Sequence, residues 1–252
     1  MYQEKEIFSR NELLIGSKAM DKISKAHVIL FGVGGVGSWC AESLIRSGIG
    51  HLTIVDPDDV SITNINRQLP ATTETVGQAK VNVLKTRLLA INPHADITAV
   101  QTIYTNDTND LFRLDTYDYI LDAIDSPEHK TNLIINATRT NATFFSSMGA
   151  ALKLDASHIH TAEFWKVYGC PLAAALRRRL KKNTMPAKKF LCVFSDEVPE
   201  NKGIPPIPSP GQSIRDERKA RINGTIPHIT AIFGFTLAGL LIQDIVHSSS
   251  LP

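Results

Sequence analysis

Cysteine is scarce in this 252-residue chain: Cys40, Cys170 and Cys192 are the only three, and no two form a C-x-x-C pair. An odd, scattered set argues against a disulfide framework and against a thiolate zinc site, and fits a reducing compartment. Long apolar runs are also missing. The first 14 residues, MYQEKEIFSRNELL, mix charges with no apolar h-region, so no signal peptide is expected. The longest apolar stretch, ITAIFGFTLAGLLI (229–242), is 14 residues, where a bilayer span needs about 20. A buried helix over 227–246 is therefore expected rather than a membrane span, although hydropathy alone would flag it. Net charge is small, at +2, but unevenly spread. Residues 177–221 hold 12 Lys/Arg against 5 Asp/Glu, and the remainder holds 15 against 20. A basic segment on a mildly acidic body suits a polyanionic partner met at one edge; the competing explanation is a solvated helix face and loop.

What is present is an alternation of short apolar runs with amphipathic segments. HVILF (27–31) reads as a buried strand, GVGSWCAESLIRSG as a helix ending near Gly48, and HLTIVD (51–56) as the next strand. Residues 78–92 carry Val81, Leu84, Leu88 and Ile91 on one helical face. DITAV (96–100), YDYILDAI (117–124) and ATFFSS (142–147) read as strands, with a helix opened by Pro127 between the last two. The expected fold class is α/β: a Rossmann-like, doubly wound, mostly parallel sheet. SHIHTAEF and KKFLCVFSDE follow as strands without crossover helices between them, so the sheet becomes mixed in the C-terminal third, and PLAAALRRRLKK reads as a helix with a strongly basic second half. A long mobile loop is expected over 198–224, followed by the apolar C-terminal helix.

The glycines Gly32, Gly34 and Gly37 fit G-x-G-x-x-G between the first strand and the first long helix. Such a loop lets a phosphate approach free N–H groups at a helix start, and by itself does not separate NAD from ATP. Asp56, about 20 residues on at a strand end, suits ribose hydroxyls and is equally shared. The discrimination lies downstream. TNINRQ (63–68) crowds Asn66, Arg67 and Gln68 into one loop, and GQAK places Lys80 at a helix N-terminus, where a cation opposes the dipole. Asp125 ends LDAID at another strand terminus, a position suited to Mg²⁺ carrying phosphates; Asp122 reads as structural. Cations and a carboxylate around phosphates serve nucleotidyl transfer, not hydride transfer. His158 and His160, spaced i, i+2 on an expected strand, have metal-ligand spacing but no Cys or carboxylate cluster attached in sequence, and read as sheet or surface histidines.

In this order the motifs GVGGVGS, Asp56, NINRQ, GQAK and DAID resemble the adenylyltransferase superfamily that includes ubiquitin-activating enzymes and the thiamine and molybdopterin sulfur-carrier activators. Within it, SSMGA (146–150), CPLAAALRRRLKK (170–182), CVFSDE (192–197) and NGTIPHITAIFGF (223–235) resemble the tRNA threonylcarbamoyladenosine dehydratases. The resemblance implies one ThiF-type domain over 1–252, with 1–150 binding ATP and 151–252 serving substrate tRNA and dimerisation. It implies that Gly32, Gly34, Gly35 and Gly37 line ATP, Asp56 binds ribose, and Asn66, Arg67, Gln68 and Lys80 hold phosphates. Asp125 would serve Mg²⁺, and Arg10 would reach the partner subunit's ATP in a homodimer. Arg177, Arg178, Arg179, Lys181 and Lys182 would track the tRNA backbone. The C-x-x-C zinc ligands and loop-borne cysteine of the sulfur-carrier activators have no counterpart, so no zinc is expected.

The implied reaction is adenylation of the carboxylate of threonylcarbamoyladenosine in tRNA, then cyclisation with net loss of water, in the cytoplasm. Two other readings stand beside it. One is activation of a ubiquitin-like carrier's C-terminus; the other is a non-catalytic nucleotide-binding partner in a cysteine-desulfurase sulfur relay.

Overall fold

The computed structural model describes residues 4–203 and 223–250. Three short helices come first: α1 (Glu4–Ile7), α2 (Ser9–Ile15) and α3 (Ser17–Lys25). The sequence reading assigned no helix to this stretch, because only its Phe8, Ala19 and Ile23 are buried and exposed Leu13 and Leu14 blur any apolar face. The expected alternation then follows. It runs β1 (His27–Phe31), α4 (Gly37–Arg46), β2 (His51–Val55), α5 (Lys80–Ile91), β3 (Asp96–Val100), β4 (Tyr119–Asp122), α6 (Pro127–Ala137) and β5 (Thr143–Ser147). The last third contributes β6 (Ile159–Glu163), α7 (Pro171–Lys182), β7 (Leu191–Ser195) and α8 (Pro227–Ser250). Of the loop expected at 198–224, residues 204–222 lie outside the described residues.

One seven-stranded sheet runs β3-β2-β1-β4-β5-β7-β6, parallel throughout except for the antiparallel β6–β7 pair. The alternation within β1 shows why the sheet is covered on both sides. Val28 and Leu30 join a cluster with Leu44 of α4, Leu84 of α5 and Phe233 of α8. Ile29 and Phe31 face the opposite way, with Leu133 of α6 and Leu176 of α7. Successive side chains of a strand point to opposite faces, so a strand buried on both sides is apolar at every position.

Helix α8 runs four residues beyond its expected end, and is long and apolar enough to cross a bilayer. Its stripe Ile229, Phe233, Leu237, Leu241 nevertheless packs at 0% exposure into the first cluster. At Gly234 a Cβ would lie 2.4 Å from the Val36 carbonyl oxygen and 2.8 Å from Cys40 N, so only glycine lets α8 cross α4 this closely. His158 departs from expectation: it ends a 3-10 turn, Ala156–His158, and β6 starts after it.

Beneath the sheet's carboxyl edge lies an ion pair that patterning does not reveal. Lys130 of α6 and Asp122 of β4 are both fully buried, with Nζ 2.8 Å from Oδ2. Ser146 Oγ donates to the same carboxylate, and Lys130 Nζ donates to the Ile124 carbonyl. Removing one partner strands the other charge, which typically costs about 3–5 kcal/mol. Lys130→Met is therefore expected to lower unfolding free energy by about that amount in urea titrations. A loss under about 1 kcal/mol would mean the pair is not what orders this edge.

Candidate nucleotide site

The strand order reverses between β1 and β4, and open α/β sheets place ligands in the crevice at that point. The loop from Gly32 to Gly37 lies on one side of it and the 122–126 turn on the other. Gly32 has φ +84°, and a Cβ there would sit 2.7 Å from the Ala123 carbonyl oxygen. A Cβ on Gly37 would fall 1.7 Å from the Gly32 oxygen, so the loop closes on itself with no room for any side chain. Gly34 differs. Around its Cβ position only the Gln68 amide comes near, at 3.6 Å, leaving the inner face of the loop open. Gly35 is backed by Thr230 of α8 and by the Arg67 side chain.

Short polar bonds fix the 62–69 segment over this loop. Ser38 Oγ donates to the Gly34 carbonyl at 2.6 Å and accepts from Leu69 N; Trp39 Nε1 donates to the Arg67 carbonyl at 3.1 Å. Asn66 Nδ2 donates to the Thr225 carbonyl, while Arg67 Nη1 donates to Asn66 Oδ1 and the Thr63 carbonyl. Burial lowers the Arg67 pKa and the charge of Asp125 opposes that shift, so guanidinium and carboxylate share one field. Gln68 is 8% exposed, and its Oε1 is buried with no hydrogen-bond partner. Leaving such an atom unpaired costs about 1–3 kcal/mol, so a ligand donor there would be rewarded.

Asp56 sits at the end of β2, 6% exposed, accepting from Val33 N at 2.8 Å and Asp58 N at 3.0 Å. Burial raises its pKa, while Lys80 and the two N–H donors pull it back. Lys80 opens α5 almost fully buried, with Nζ 2.8 Å from Asp58 Oδ2 and 3.9 Å from Asp56 Oδ1. Two carboxylates thus answer the dipole penalty that made Lys80 conspicuous. The Asp58 side chain is 64% exposed, so that partner is screened by water and easily exchanged for a stronger anion. Asp125 is exposed beyond the turn, and Ser126 is the N-cap of α6. Asp122 is committed to Lys130 and Ser146, as a structural carboxylate should be.

The other sequence-derived residues lie outside this network. Arg10 is exposed on α2 beside Leu13 and Leu14, which are 87% and 85% exposed. Arg177 Nη1 donates to the carbonyls of Phe164 and Val167. Arg178, Arg179, Lys181 and Lys182 are exposed, Lys181 lying over the Trp165 ring at 5.8 Å. They occupy the amino-terminal edge of the sheet, since Cys170 at the start of α7 is near Gly149 after β5, while Ala187 and Lys188 bond residues 138–142 before it. All three cysteines are buried, and burial pushes the Cys40 and Cys192 thiols well up. Sequence reasoning missed Ser38, Trp39 and Thr230, whose roles arise from tertiary contacts with no local signature.

A family model for the ThiF family matches residues 8–250. The chain is similar to the tRNA threonylcarbamoyladenosine dehydratase of Bacillus subtilis (strain 168), 42% identical over 192 residues, which cover 76% of this chain and 75% of the relative. The dehydratase of Escherichia coli (strain K12) is 36% identical over 238 residues, covering 90% and 89%. The solved structure of the E. coli enzyme, TcdA, in complex with ATP superposes with a TM-score of 0.84 at 33% identity, covering 98% of this chain and 96% of that one.

The glycine geometry makes a separable prediction. Gly37→Ala is expected to give insoluble or unfolded protein, because the methyl has nowhere to go. Gly34→Ala is expected to fold normally and to weaken nucleotide binding by about tenfold or more, about 1.4 kcal/mol by calorimetry. Unchanged nucleotide affinity in Gly34→Ala would place the ligand elsewhere.

Proposed function

Because the chain belongs to the ThiF family, and within it to the tRNA threonylcarbamoyladenosine dehydratases, we propose that it is a cytoplasmic ATP-dependent enzyme that cyclises threonylcarbamoyladenosine in tRNA. The observation that carries this reading is the cleft at the β1/β4 switch point. A glycine loop with an open inner face, a buried lysine with an exchangeable partner, a half-buried arginine and an exposed carboxylate converge there.

In the proposed reaction the free carboxylate of the modified nucleoside attacks the α-phosphate of ATP, and pyrophosphate leaves. Gly32, Gly34, Gly35 and Gly37 let the phosphates approach the N-terminus of α4, whose free N–H groups face them. Asp56, with two acceptor positions used by Val33 N and Asp58 N, retains lone pairs for ribose hydroxyls. Lys80 exchanges the screened Asp58 for phosphate oxygens, and Arg67 offers a fork to the same group, with Asn66 orienting it. Gln68 lends its amide to the ligand at Gly34. Mg²⁺ fits beside Asp125, a single exposed carboxylate not engaged by a buried lysine, and when bound it supplies charge neutralisation for the departing pyrophosphate. Ring closure follows on the substrate: its urea group attacks the activated carbonyl and expels AMP. Such an internal attack carries an effective molarity of about 10⁵–10⁸ M, so no protein nucleophile is required. That agrees with three buried thiols, and a carrier-protein thioester would need an accessible thiolate.

The division of labour proposed is 1–150 for ATP and 151–252 for tRNA and dimerisation, within one ThiF-type domain. Exposed Leu13 and Leu14 beside Arg10 support α2 as a homodimer contact that carries Arg10 toward the partner's nucleotide. The basic half of α7 begins about 9 Å along the helix from the carboxyl edge of the sheet and ends about 18 Å from it, one 12-residue helix away. Bound tRNA would therefore run along the β6–α7 side, with its modified nucleoside reaching the cleft. A cysteine-desulfurase partner has no observation in its favour here.

The deciding assay supplies ATP, Mg²⁺ and tRNA bearing threonylcarbamoyladenosine, then weighs the released nucleosides. Loss of one water mass is expected; an unchanged mass with normal ATP binding would refute the reading. Lys80→Ala and Arg67→Ala are each expected to lower turnover by about 10²-fold or more in folded protein. Mixing Arg10→Ala with Lys80→Ala chains should restore part of that activity if Arg10 acts across a dimer, and none if it does not. Replacing Arg178 and Arg179 with Gln should weaken tRNA binding and make the salt slope shallower by about one for each phosphate no longer neutralised. An unchanged slope would leave that end of α7 as solvated surface.

A further inference from the structure

The two histidines that the nucleotide chemistry does not use acquire a carboxylate in the fold. His158 Nδ1 lies 2.7 Å from Asp196 Oδ1, and His160 Nε2 lies 3.8 Å from the same oxygen. One ligand atom from each of the three residues lies within 4.8 Å of the others. The cause is register. In the antiparallel β6–β7 pair Ile159 is opposite Ser195, so the next step outward sets His158 beside Asp196, and the period of two brings His160 to the same side. From sequence alone the nearest carboxylate to this pair was out of view, because Asp196 comes 36 positions after His160.

The geometry points to a binding site for one divalent late transition-metal ion of the zinc class, held by His158, His160 and Asp196 with solvent completing the shell. Tetrahedral zinc with bonds of about 2.0–2.1 Å separates its ligand atoms by about 3.3 Å. The observed spacings bracket that value: one contact has to open slightly and the other to close. All three side chains retain exposure, 48%, 42% and 23%, so rotamer adjustments meet little resistance. The segments that carry them are already fixed. Glu197 Oε2 accepts from Leu154 N and Asp155 N at 2.9 Å each, and Asp155 caps the 3-10 turn through Ser157 N at 2.8 Å. The His160 ring rests 5.7 Å from the Phe194 ring. Two imidazoles and one carboxylate suit Zn²⁺, Co²⁺ or Ni²⁺, whereas Mg²⁺ and Ca²⁺ prefer an all-oxygen shell. The missing thiolate pairs that led to the expectation of no zinc do not bear on an imidazole–carboxylate site.

An ion here would clip the start of β6, the end of β7 and the turn between Leu154 and His158. That turn touches the nucleotide cleft indirectly: His228 at the start of α8 hydrogen-bonds through Nε2 to the Leu154 carbonyl at 2.9 Å, and Thr230 just beyond it backs Gly35. The ion would be a structural clamp on the wall of the cleft, separate from any Mg²⁺ that accompanies ATP.

The full chain, stripped with a chelator and titrated with Co²⁺, is expected to show visible d–d absorption that saturates at one ion per chain. Zn²⁺ should displace it and Mg²⁺ should not. His160→Ala and Asp196→Asn, both at exposed or partly exposed positions, should fold with unchanged far-ultraviolet circular dichroism. Each should bind Co²⁺ more than about tenfold more weakly, since even outer-shell partners are worth about 10–100-fold. Zn²⁺ should raise the Tm of the parent chain and not that of the variants. Absence of saturable Co²⁺ binding in the parent, or variants that bind Co²⁺ as tightly as the parent, would overturn the assignment and leave His158–Asp196 as a plain hydrogen bond.

Discussion

Everything at the carboxyl edge of this sheet depends on the closure of one turn. Gly37 approaches the Gly32 carbonyl so closely that a methyl group would fall inside it, and Gly32 itself runs against the end of β4. This double contact sets where α4 begins and therefore where its free N–H groups point. It also brings Ser38 and Trp39 to the positions from which they fasten the 62–69 segment. Gly234 adds the third close approach, seating α8 on the first turn of α4 and Thr230 behind Gly35. Backbone contacts without side chains make a rigid, open cradle, and preorganisation of that kind is what electrostatic catalysis requires.

Two ion pairs near the cradle divide structure from function by their solvent exposure. Lys130–Asp122 is sealed, with both side chains fully buried and further hydrogen-bonded, and holds the end of β4 against α6. Lys80–Asp58 has one buried and one exposed member. Its lysine is positioned by the fold, yet its partner is a screened carboxylate that a phosphate can replace at little expense. The same two residue types thus serve as a fixed strut in one place and an exchangeable charge in the other.

Much of this was legible in the sequence because it is local. HVILF and DITAV match β1 and β3 residue for residue, since a short strand-forming run between turn residues carries its own boundaries. Asp122 read correctly as structural, although its lysine partner did not show. The rest depends on contacts between distant segments. Helices α1–α3 bury too few apolar residues to be patterned, and the Trp39 strap joins positions 28 residues apart. His158 looked like a strand residue because i, i+2 spacing is all that sequence displays; Asp196 enters only through the β6–β7 register. Asp58 was overlooked because an exposed acidic residue has no signature until a buried lysine meets it.

Isotope transfer tests most directly whether a carboxylate attacks the α-phosphate of ATP in this cleft. tRNA whose threonylcarbamoyl carboxylate carries ¹⁸O is turned over with ATP, and the phosphorus products are separated by mass. Adenylation followed by ring closure leaves one carboxylate oxygen on AMP, so the label is expected there. Label in orthophosphate would mean attack at the γ-phosphate, and AMP free of label would contradict the account.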